Sequence, residues 1–443
     1  MGFDPLFAAL NGASRAGRLA AVRRVGKLIA EGRETAPGTE ETNNHVHTRY
    51  SFSPYFPTAA AWLARRAGLR VVGIMDHDSV AGAGEMIEAC RRLGIACTVG
   101  FEMRVNMTGT AVEGRKTNHP DARNISYMSF HGIPHGRLAE AERFLKPFRE
   151  ARNRRNRWMV TALDAMMARH RIGRVSYREV EALSQAREGG SVTERHLLLA
   201  LARALIRKAG RGARLVRLLG ANLGVEPPRR LRAYLLDPAN PHYDYDLLGV
   251  LKSSVLDRFA IDPDETECPS VYDAVKTANA MQSLPVYPYL GDVADSPTGD
   301  KKAEAFEDSY LDRLVPELKR IGFRGLAYMP PRNTRAQLRR VSRLARGQGL
   351  IEISGVDINS SRQSFNCPIL LDPAFRHLVD TTWALVAHEL LASRNERYAL
   401  FSPRNPMYRR PLGARLAAYA RIGKRIDPRH PERAIGIMKE VLG

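Results

Sequence analysis

Apolar and polar stretches alternate along the first third of the chain. Residues 71–75, 95–99 and 125–130 are short apolar runs that predict buried strands, whereas 57–68 and 84–93 have the apolar spacing of helices. A strand that ends in polar residues and leads through a helix to another strand is typical of parallel βα units. The same alternation returns after residue 270. The pattern therefore predicts an α/β fold with a parallel sheet.

A long helical stretch separates the two alternating segments. We predict five parts, in chain order: an N-terminal helical extension (1–40), a first α/β half (41–136), a helical insertion (137–270), a second α/β half (271–375) and a C-terminal helical extension (376–443). The first extension ends in a polar segment, 34–44, whose Pro37 and Gly38 are typical of a linker.

Charge is the unusual feature of the composition. The chain has 68 Lys and Arg against 47 Asp and Glu, a net charge of +21, and residues 137–235 alone carry 23 basic and nine acidic side chains. The planar fork of arginine suits phosphate oxygens. The insertion therefore forms either a patch for polyanions such as nucleic acid or a solvated surface, because net charge alone does not distinguish these.

The cysteines and the hydropathy pattern indicate the cellular compartment. The four cysteines form no CxxC pair, which disfavours a zinc knuckle or a redox motif and is typical of reduced thiols in the cytoplasm. No apolar run reaches the length needed to cross a bilayer. We expect a cytoplasmic protein without a membrane partner.

Histidines and carboxylates cluster at the predicted strand ends. His45 and His47 are two residues apart, so on a strand both would face the same side and could bind one metal ion. Asp76-His77-Asp78 directly follows an apolar strand, where ionisable residues are rarely core packing, although Asp78 could instead cap a helix. Glu102 and His131 end the next two strands, and a carboxylate such as Glu102 could bridge two ions.

Three of these segments carry a family resemblance. HVHTRYS (45–51), GIMDHDSVAGAGE (73–85) and IACTVGFEM (95–103) resemble the first three motifs of the PHP (polymerase and histidinol phosphatase) superfamily, HxHTxxS, TDHDxxxG and GxE. The resemblance implies a distorted (β/α)7 TIM-like barrel that holds up to three metal ions and hydrolyses phosphoesters.

The resemblance also assigns roles to individual residues. His45, His47 and Asp357 would hold a first ion, and Glu102 would bridge to a second ion held by His131. His77 would bind a third ion that Asp76 orients. The seven implied metal ligands are His45, His47, His77, Glu102, His131, Asp357 and Asn359.

Three positions depart from the family pattern. Phe52 stands where an acid usually follows the first serine, Tyr289 where a late histidine is usual, and Asn359 where Asp-x-His ends. Phe52 cannot bind a metal, and the oxygens of the other two suit manganese or iron better than zinc. We therefore expect one or two divalent ions (Mn, Zn or Fe) rather than three.

These residues predict a metal-dependent phosphoesterase that acts on a phosphorylated small molecule or nucleotide, or on short oligonucleotides. Asp76 or His77 would transfer protons, and Arg362 would bind the phosphate. The alternative is a catalytically degenerate barrel that binds metal or nucleic acid. A third hypothesis, with no feature in its favour, is an amide or lactone hydrolase using the same metal chemistry.

Overall fold

A computed structural model describes residues 5–119, 122–293 and 307–442. In these ranges the strands are β1 (Thr42–Val46), β2 (Val71–His77), β3 (Ala96–Asn106), β4 (Ile125–His131), β5 (Leu284–Tyr289), β6 (Gly325–Tyr328) and β7 (Ile351–Ser354).

The α-helices of the first half are α1 (Pro5–Leu10), α2 (Arg15–Ala30), α3 (Pro57–Arg66) and α4 (Ala83–Leu93). Those between β4 and β5 are α5 (Leu138–Arg169), α6 (Tyr177–Glu181), α7 (Glu194–Ala209), α8 (Ala213–Leu223), α9 (Arg229–Leu236), α10 (Tyr243–Ser254) and α11 (Val271–Ala280). The remaining ones are α12 (Leu311–Ile321), α13 (Arg335–Gly347), α14 (Arg376–Arg394), α15 (Leu412–Arg425) and α16 (Ala434–Leu442).

The local sequence explains several of these boundaries. Pro57 begins α3, where its missing N–H costs no helical hydrogen bond. Gly94 ends α4 in the left-handed region, with φ of 70°. Thr334 begins α13 with a capping box, because its hydroxyl accepts from Gln337 N while the Gln337 side chain accepts from Thr334 N.

The strands form one sheet that closes into a barrel. The sheet order follows the chain from β1 to β7. Its two edges meet because Val46 bridges Ile358: His47 N donates to Ile358 O and Ile358 N to His45 O, each at 3.1 Å. Gly355 permits this approach, since a Cβ there would lie 2.5 Å from His45 Cβ. The fold is thus the seven-stranded TIM-like barrel expected of the PHP type.

The sheet is not wholly parallel, which corrects the expectation of uniform βα units. β4 is antiparallel to both β3 and β5. β3 is also six residues longer than the apolar run 95–99 suggests, so that it passes the level of Glu102 and β4 returns alongside it. The linker expected at 34–44 likewise ends earlier, because β1 begins at Thr42.

Helices α5–α10 and their connections, residues 138–258, form what we call the helical lobe. Its apolar side chains build a hydrophobic core separate from that of the barrel, with α7 contributing Leu197, Leu198 and Leu201. One barrel residue, Phe52, joins this core, packing edge-on against His196 with ring centroids 5.0 Å apart. Phe52 thus anchors the lobe at a position where the family pattern has an acid.

The C-terminal helices complete the barrel's core. α14 is buried along most of its length, including Trp383, Leu385 and Leu391, and packs against α15 and the barrel strands. Among the described residues, no helix combines the length and apolar character that a membrane span would need.

Candidate metal centre

Three metal-binding side chains meet at one end of the barrel. His45 and His47 lie at the closing edge of the barrel, and Glu102 lies on β3. Their nearest ligand atoms all lie within 4.8 Å of one another, and all three residues are buried. The i, i+2 spacing of the two histidines therefore places both rings at one site, with ring centroids 5.1 Å apart.

Glu102 lies between two imidazoles. Its Oε2 is 3.5 Å from His45 Nε2 and 3.6 Å from His77 Nδ1. The register explains this contact, because His77 on β2 is the direct partner of Glu102 on β3. Burial lowers the pKa of His45, but the charge and hydrogen bond of Glu102, together with Asp357, raise it to about 9. A carboxylate oxygen between two histidines is well placed to contact more than one cation.

A buried hydrogen-bond network on the side away from the cavity positions the His47 ring. Asp76 accepts from the Ser51 hydroxyl, from Thr48 N and from the Thr48 hydroxyl, each at 2.6 Å. Because Ser51 gives its only proton to Asp76, its oxygen accepts from His47 Nδ1 at 3.3 Å. With the proton on Nδ1, His47 Nε2 would offer its lone pair to a metal ion, and it faces the metal cluster beside Asp357.

Asp357 completes the first group of ligands. Its Oδ1 lies 3.3 Å from His47 Nε2. Burial raises the pKa of Asp357, but His47, His45 and Arg195 together hold it well below its usual range. Asn359 Nδ2 donates to Asp357 Oδ1 at 2.7 Å, so this amide orients the carboxylate.

Burial lowers the pKa of both His77 and His131. Burial, followed by the charges of His47 and Arg152, lowers the pKa of His77 well below 6.5. Burial and His45 lower that of His131 to about 3. The Nε2 atom of His131 is buried and has no hydrogen-bond partner in the described parts of the chain. A buried nitrogen without a partner is costly unless a ligand satisfies it, so the donor set fits divalent metal.

The ligands open into a cavity of about 670 Å³ between the barrel and the helical lobe. Its walls include Tyr234, Leu231 and Leu256 from the lobe and Arg332 from the loop after β6. This volume lies within the range of small-molecule sites.

Two residues singled out in the sequence, Arg362 and Tyr289, line this cavity but are hydrogen-bonded to other side chains. Arg362 lines it, but Arg362 Nε and Nη2 donate to Asp246 at 2.5 and 2.7 Å. Tyr289 also lines it, and its hydroxyl donates to Asp308. The predicted phosphate binder and the tyrosine at the usual histidine position are thus both engaged by other side chains.

Sequence reasoning missed Arg195, the second residue of α7. It lines the cavity, lies over the Phe52 ring at 5.9 Å and lowers the pKa of Asp357. Its position depends on how the helical lobe packs on the barrel, and no local signal distinguishes it from neighbouring arginines.

A buried ion-pair network was also missed. Arg104, two residues after Glu102 and therefore on the same strand face, pairs with Glu194 at 2.7 Å and Glu267 at 2.8 Å. Arg155 pairs with the same two carboxylates, each at 2.6 Å. Arg155 belongs to the basic segment 137–235, yet its charge, like that of Arg104, is neutralised inside the protein.

Residues 43–244 match the family model of the PHP domain. This segment of the chain is therefore similar to a PHP domain. No curated protein matches the chain in sequence. A candidate metal-dependent phosphoesterase from Bifidobacterium adolescentis is 18% identical over 74% of this chain and 91% of its own, with a TM-score of 0.47. An amidohydrolase from Chromobacterium violaceum, solved with bound sulfate and no metal, is 18% identical over 76% of this chain and 95% of its own, with a TM-score of 0.48.

The PHP match spans β1 to the start of α10 and so covers His45, His47, His77, Glu102 and His131. The match and the clustered ligands together support a metal-dependent hydrolase.

Proposed function

We propose that this PHP domain is a metal-dependent phosphoesterase. The observation that carries the proposal is the convergence of His45, His47 and Glu102 within 4.8 Å at a large cavity whose walls also carry arginine. Divalent metal held there would supply a hydroxide from bound water and offset charge on the phosphoryl oxygens. The side chains of the chain would bind, orient and neutralise the substrate.

Three ligands form the first metal position in this proposal. His45, His47 and Asp357 would hold one ion, and Glu102 with His131 would provide a second position. His77 lies close enough to Glu102 to contribute a ligand to either metal position.

One or two ions remain our proposal, rather than three. Phe52 is built into the core of the helical lobe, so its position offers no ligand. The Tyr289 hydroxyl donates to Asp308, and the Asn359 amide donates to Asp357. Phe52 therefore adds no ligand, while Tyr289 and Asn359 could each offer only an oxygen atom.

Asp76 is better suited to positioning than to proton transfer. All three of its hydrogen bonds go to Thr48 and Ser51, and its side chain is buried behind His47. His77 lines the cavity, so it remains the proposed group for moving a proton.

Arg195 is the proposed phosphate-binding residue, in place of Arg362. It lines the cavity and lies close enough to Asp357 to lower the pKa of that carboxyl group. Arg195→Met should lower kcat/KM for a phosphate ester by about 100-fold, as expected when a charged donor to the reacting group is lost. Metal content should stay at the wild-type level, and Arg203→Met on the same helix serves as the control.

For substrate we propose a nucleotide or short oligonucleotide. The cavity combines the phenol of Tyr234 and the apolar side chains of Leu231 and Leu256 with arginines near the metal ligands, which suits an aromatic base joined to a phosphate. The four cysteines are free, which is compatible with the proposed cytoplasmic setting.

Metal analysis followed by a substrate panel tests the proposal. The purified chain should contain about one or two equivalents of Mn, Fe or Zn and hydrolyse p-nitrophenyl phosphate or a nucleotide. His47→Ala should abolish turnover, whereas His430→Ala, at an exposed histidine paired with Glu432, should not. Metal-bound protein that hydrolyses an amide or lactone but no phosphoester would refute the assignment.

One observation favours a second candidate, a barrel that binds nucleic acid without turnover. Trp158 on α5 is 64% exposed and lies beside the exposed Arg154 and Arg157. An aromatic ring between cations could stack on a base of a single strand. Metal-free protein without turnover, which binds an oligonucleotide with a steep salt dependence that Trp158→Ala weakens, would support this candidate instead.

A further inference from the structure

The loop after β7 carries part of the metal centre. We call residues 357–363 the ligand loop, because it presents Asp357 and Asn359 to the site. The loop is braced internally by Gln363, whose Oε1 accepts from Asn359 N and from Ser360 N, each at 2.7 Å. Gln363 thereby links the far end of the loop to Asn359, whose side chain donates to Asp357.

Arg362 joins the ligand loop to the helical lobe by hydrogen bonds to Asp246 of α10. The guanidinium donates through Nε to Asp246 Oδ1 at 2.5 Å and through Nη2 to Asp246 Oδ2 at 2.7 Å. Nη2 also donates to Asn240 Oδ1 at 3.4 Å, and the guanidinium carbon lies 3.7 Å from the ring centroid of Tyr234 on α9. Asp246 itself is buried in α10 and is fixed by Asn240 Nδ2, which donates to Oδ2 at 2.7 Å.

A second contact joins the same two parts. His242, the residue before α10, shares a hydrogen bond of 2.8 Å between its Nδ1 and Ser361 Oγ. The ligand loop is thus held at two successive residues, Ser361 and Arg362, by a segment of the lobe that is distant in sequence. Bidentate, partly desolvated pairs fix geometry more strongly than single exposed contacts.

We propose that Asp246 is a positioning residue of the metal centre: through Arg362 it fixes the ligand loop, so that docking of the helical lobe and metal binding by Asp357 are coupled. The inference rests on the proposed function, because it takes Asp357 as a ligand. It explains why Arg362 lies on the ligand loop although its guanidinium binds Asp246 and not a phosphate.

Coupling of this kind is reciprocal. If the docked lobe strengthens metal binding, metal must stabilise the docked lobe by the same factor. Groups that hold metal ligands in place typically change affinity by roughly 10–100-fold when removed. Since Asp246 acts through Arg362 and the loop, we expect its loss to weaken metal binding by about fivefold to tenfold.

The test titrates Mn²⁺ into the metal-stripped full-length chain by calorimetry. Asp246→Asn should raise the Kd for Mn²⁺ by about fivefold to tenfold, and Asp246→Glu should restore part of the lost affinity. The matched control is Asp244→Asn on the same helix, because Asp244 pairs with Arg211 at a more exposed position. Asp244→Asn should bind Mn²⁺ like the unaltered chain.

Amide hydrogen exchange supplies a readout that general destabilisation would not reproduce. In the unaltered chain Mn²⁺ should slow exchange in α9 and α10 as well as in the ligand loop. In Asp246→Asn the slowing should persist in the loop and disappear in the two helices. His242→Ala, which removes the half-buried Ser361 contact, should give a smaller loss of the same kind and replaces Asp246→Asn if that variant does not fold.

The outcomes separate the two claims. If the unaltered chain binds no Mn²⁺, the proposed function fails and this inference fails with it. If the unaltered chain binds Mn²⁺ but the folded Asp246 and His242 variants bind it equally well, the coupling alone is overturned.

Discussion

Ser51→Ala tests how the barrel prepares its first metal ligand. The Ser51 hydroxyl is fully buried between Asp76 Oδ1, at 2.6 Å, and His47 Nδ1, at 3.3 Å. Its removal leaves His47 Nδ1–H without this acceptor. It also deprives Asp76 Oδ1 of one of two donors, the other being Thr48 N. The variant keeps every proposed ligand and changes only what holds one of them.

The expected loss follows from these two contacts. Leaving a buried polar group without its partner costs about 1–3 kcal/mol. Metal binding needs the His47 proton on Nδ1, whereas the metal-free ring can carry it on Nε2 towards Asp357, 3.3 Å away, so most of the cost falls on the metal-bound state. At about 1.4 kcal/mol for each tenfold change, metal affinity should fall by roughly 10–100-fold.

Calorimetric titration of metal-stripped protein with Mn²⁺ measures this loss. The control is Ser53→Ala, because Ser53 is also buried but its hydroxyl only accepts from Tyr55 N, at 3.4 Å. A Kd for Ser51→Ala within about twofold of the unaltered chain, or an equal loss in Ser53→Ala, would refute the role assigned to the Asp76–Ser51–His47 network.

Three further predictions concern the bridging ligand, the buried ion pairs and one buried acid. Glu102→Ala should lower the metal content measured by mass spectrometry, whereas His135→Ala should not; equal losses would contradict the bridging assignment. Arg152→Met should lower the free energy of unfolding in urea by about 3–5 kcal/mol, because it leaves the buried carboxylate of Asp78 without its ion pair and removes one of the arginines paired with Glu194. Exposed Arg154→Met should change it by about 0.5 kcal/mol or less; similar values for the two variants would exclude a buried network. Burial raises the pKa of Glu389 to about 7, while His135 opposes this. The folded chain keeps that proton to a higher pH than the unfolded chain, so metal-free stability should fall by about 3 kcal/mol as the pH rises from about 4.5 through 7. Glu389→Gln should remove this part of the pH dependence, and identical pH profiles would contradict the assignment.

Much of the barrel follows from local sequence. The apolar run at 71–75, Pro57 before a helix and Gly94 after one predict elements that the structure contains, because these signals act within a few residues. The i, i+2 histidines and the position of Glu102 just after an apolar run likewise predict a shared site, and their ligand atoms meet, although Glu102 lies within β3 and not at its end. Side-chain periodicity is a local property, so a single sequence contains it.

Other features depend on contacts between distant segments. The reversed direction of β4 is decided by its pairing with β3 and β5, which no apolar run encodes. It still brings His131 to the site, because β3 is long enough for β4 to return to the level of Glu102. A strand's apolar run shows that it is buried, but not which way it runs beside its neighbours.

The arginines show most clearly that the sequence alone does not reveal which residues a side chain contacts. Sequence alone shows their number and spacing, and it favours Arg362 as a phosphate binder. The tertiary structure instead pairs Arg362 with Asp246, neutralises Arg155 with Glu194 and Glu267, and brings Arg195 to the metal ligands. A charge acquires its role from its partners, and the ion-pair partners of Arg155 and Arg362 lie 39 to 116 residues away along the chain.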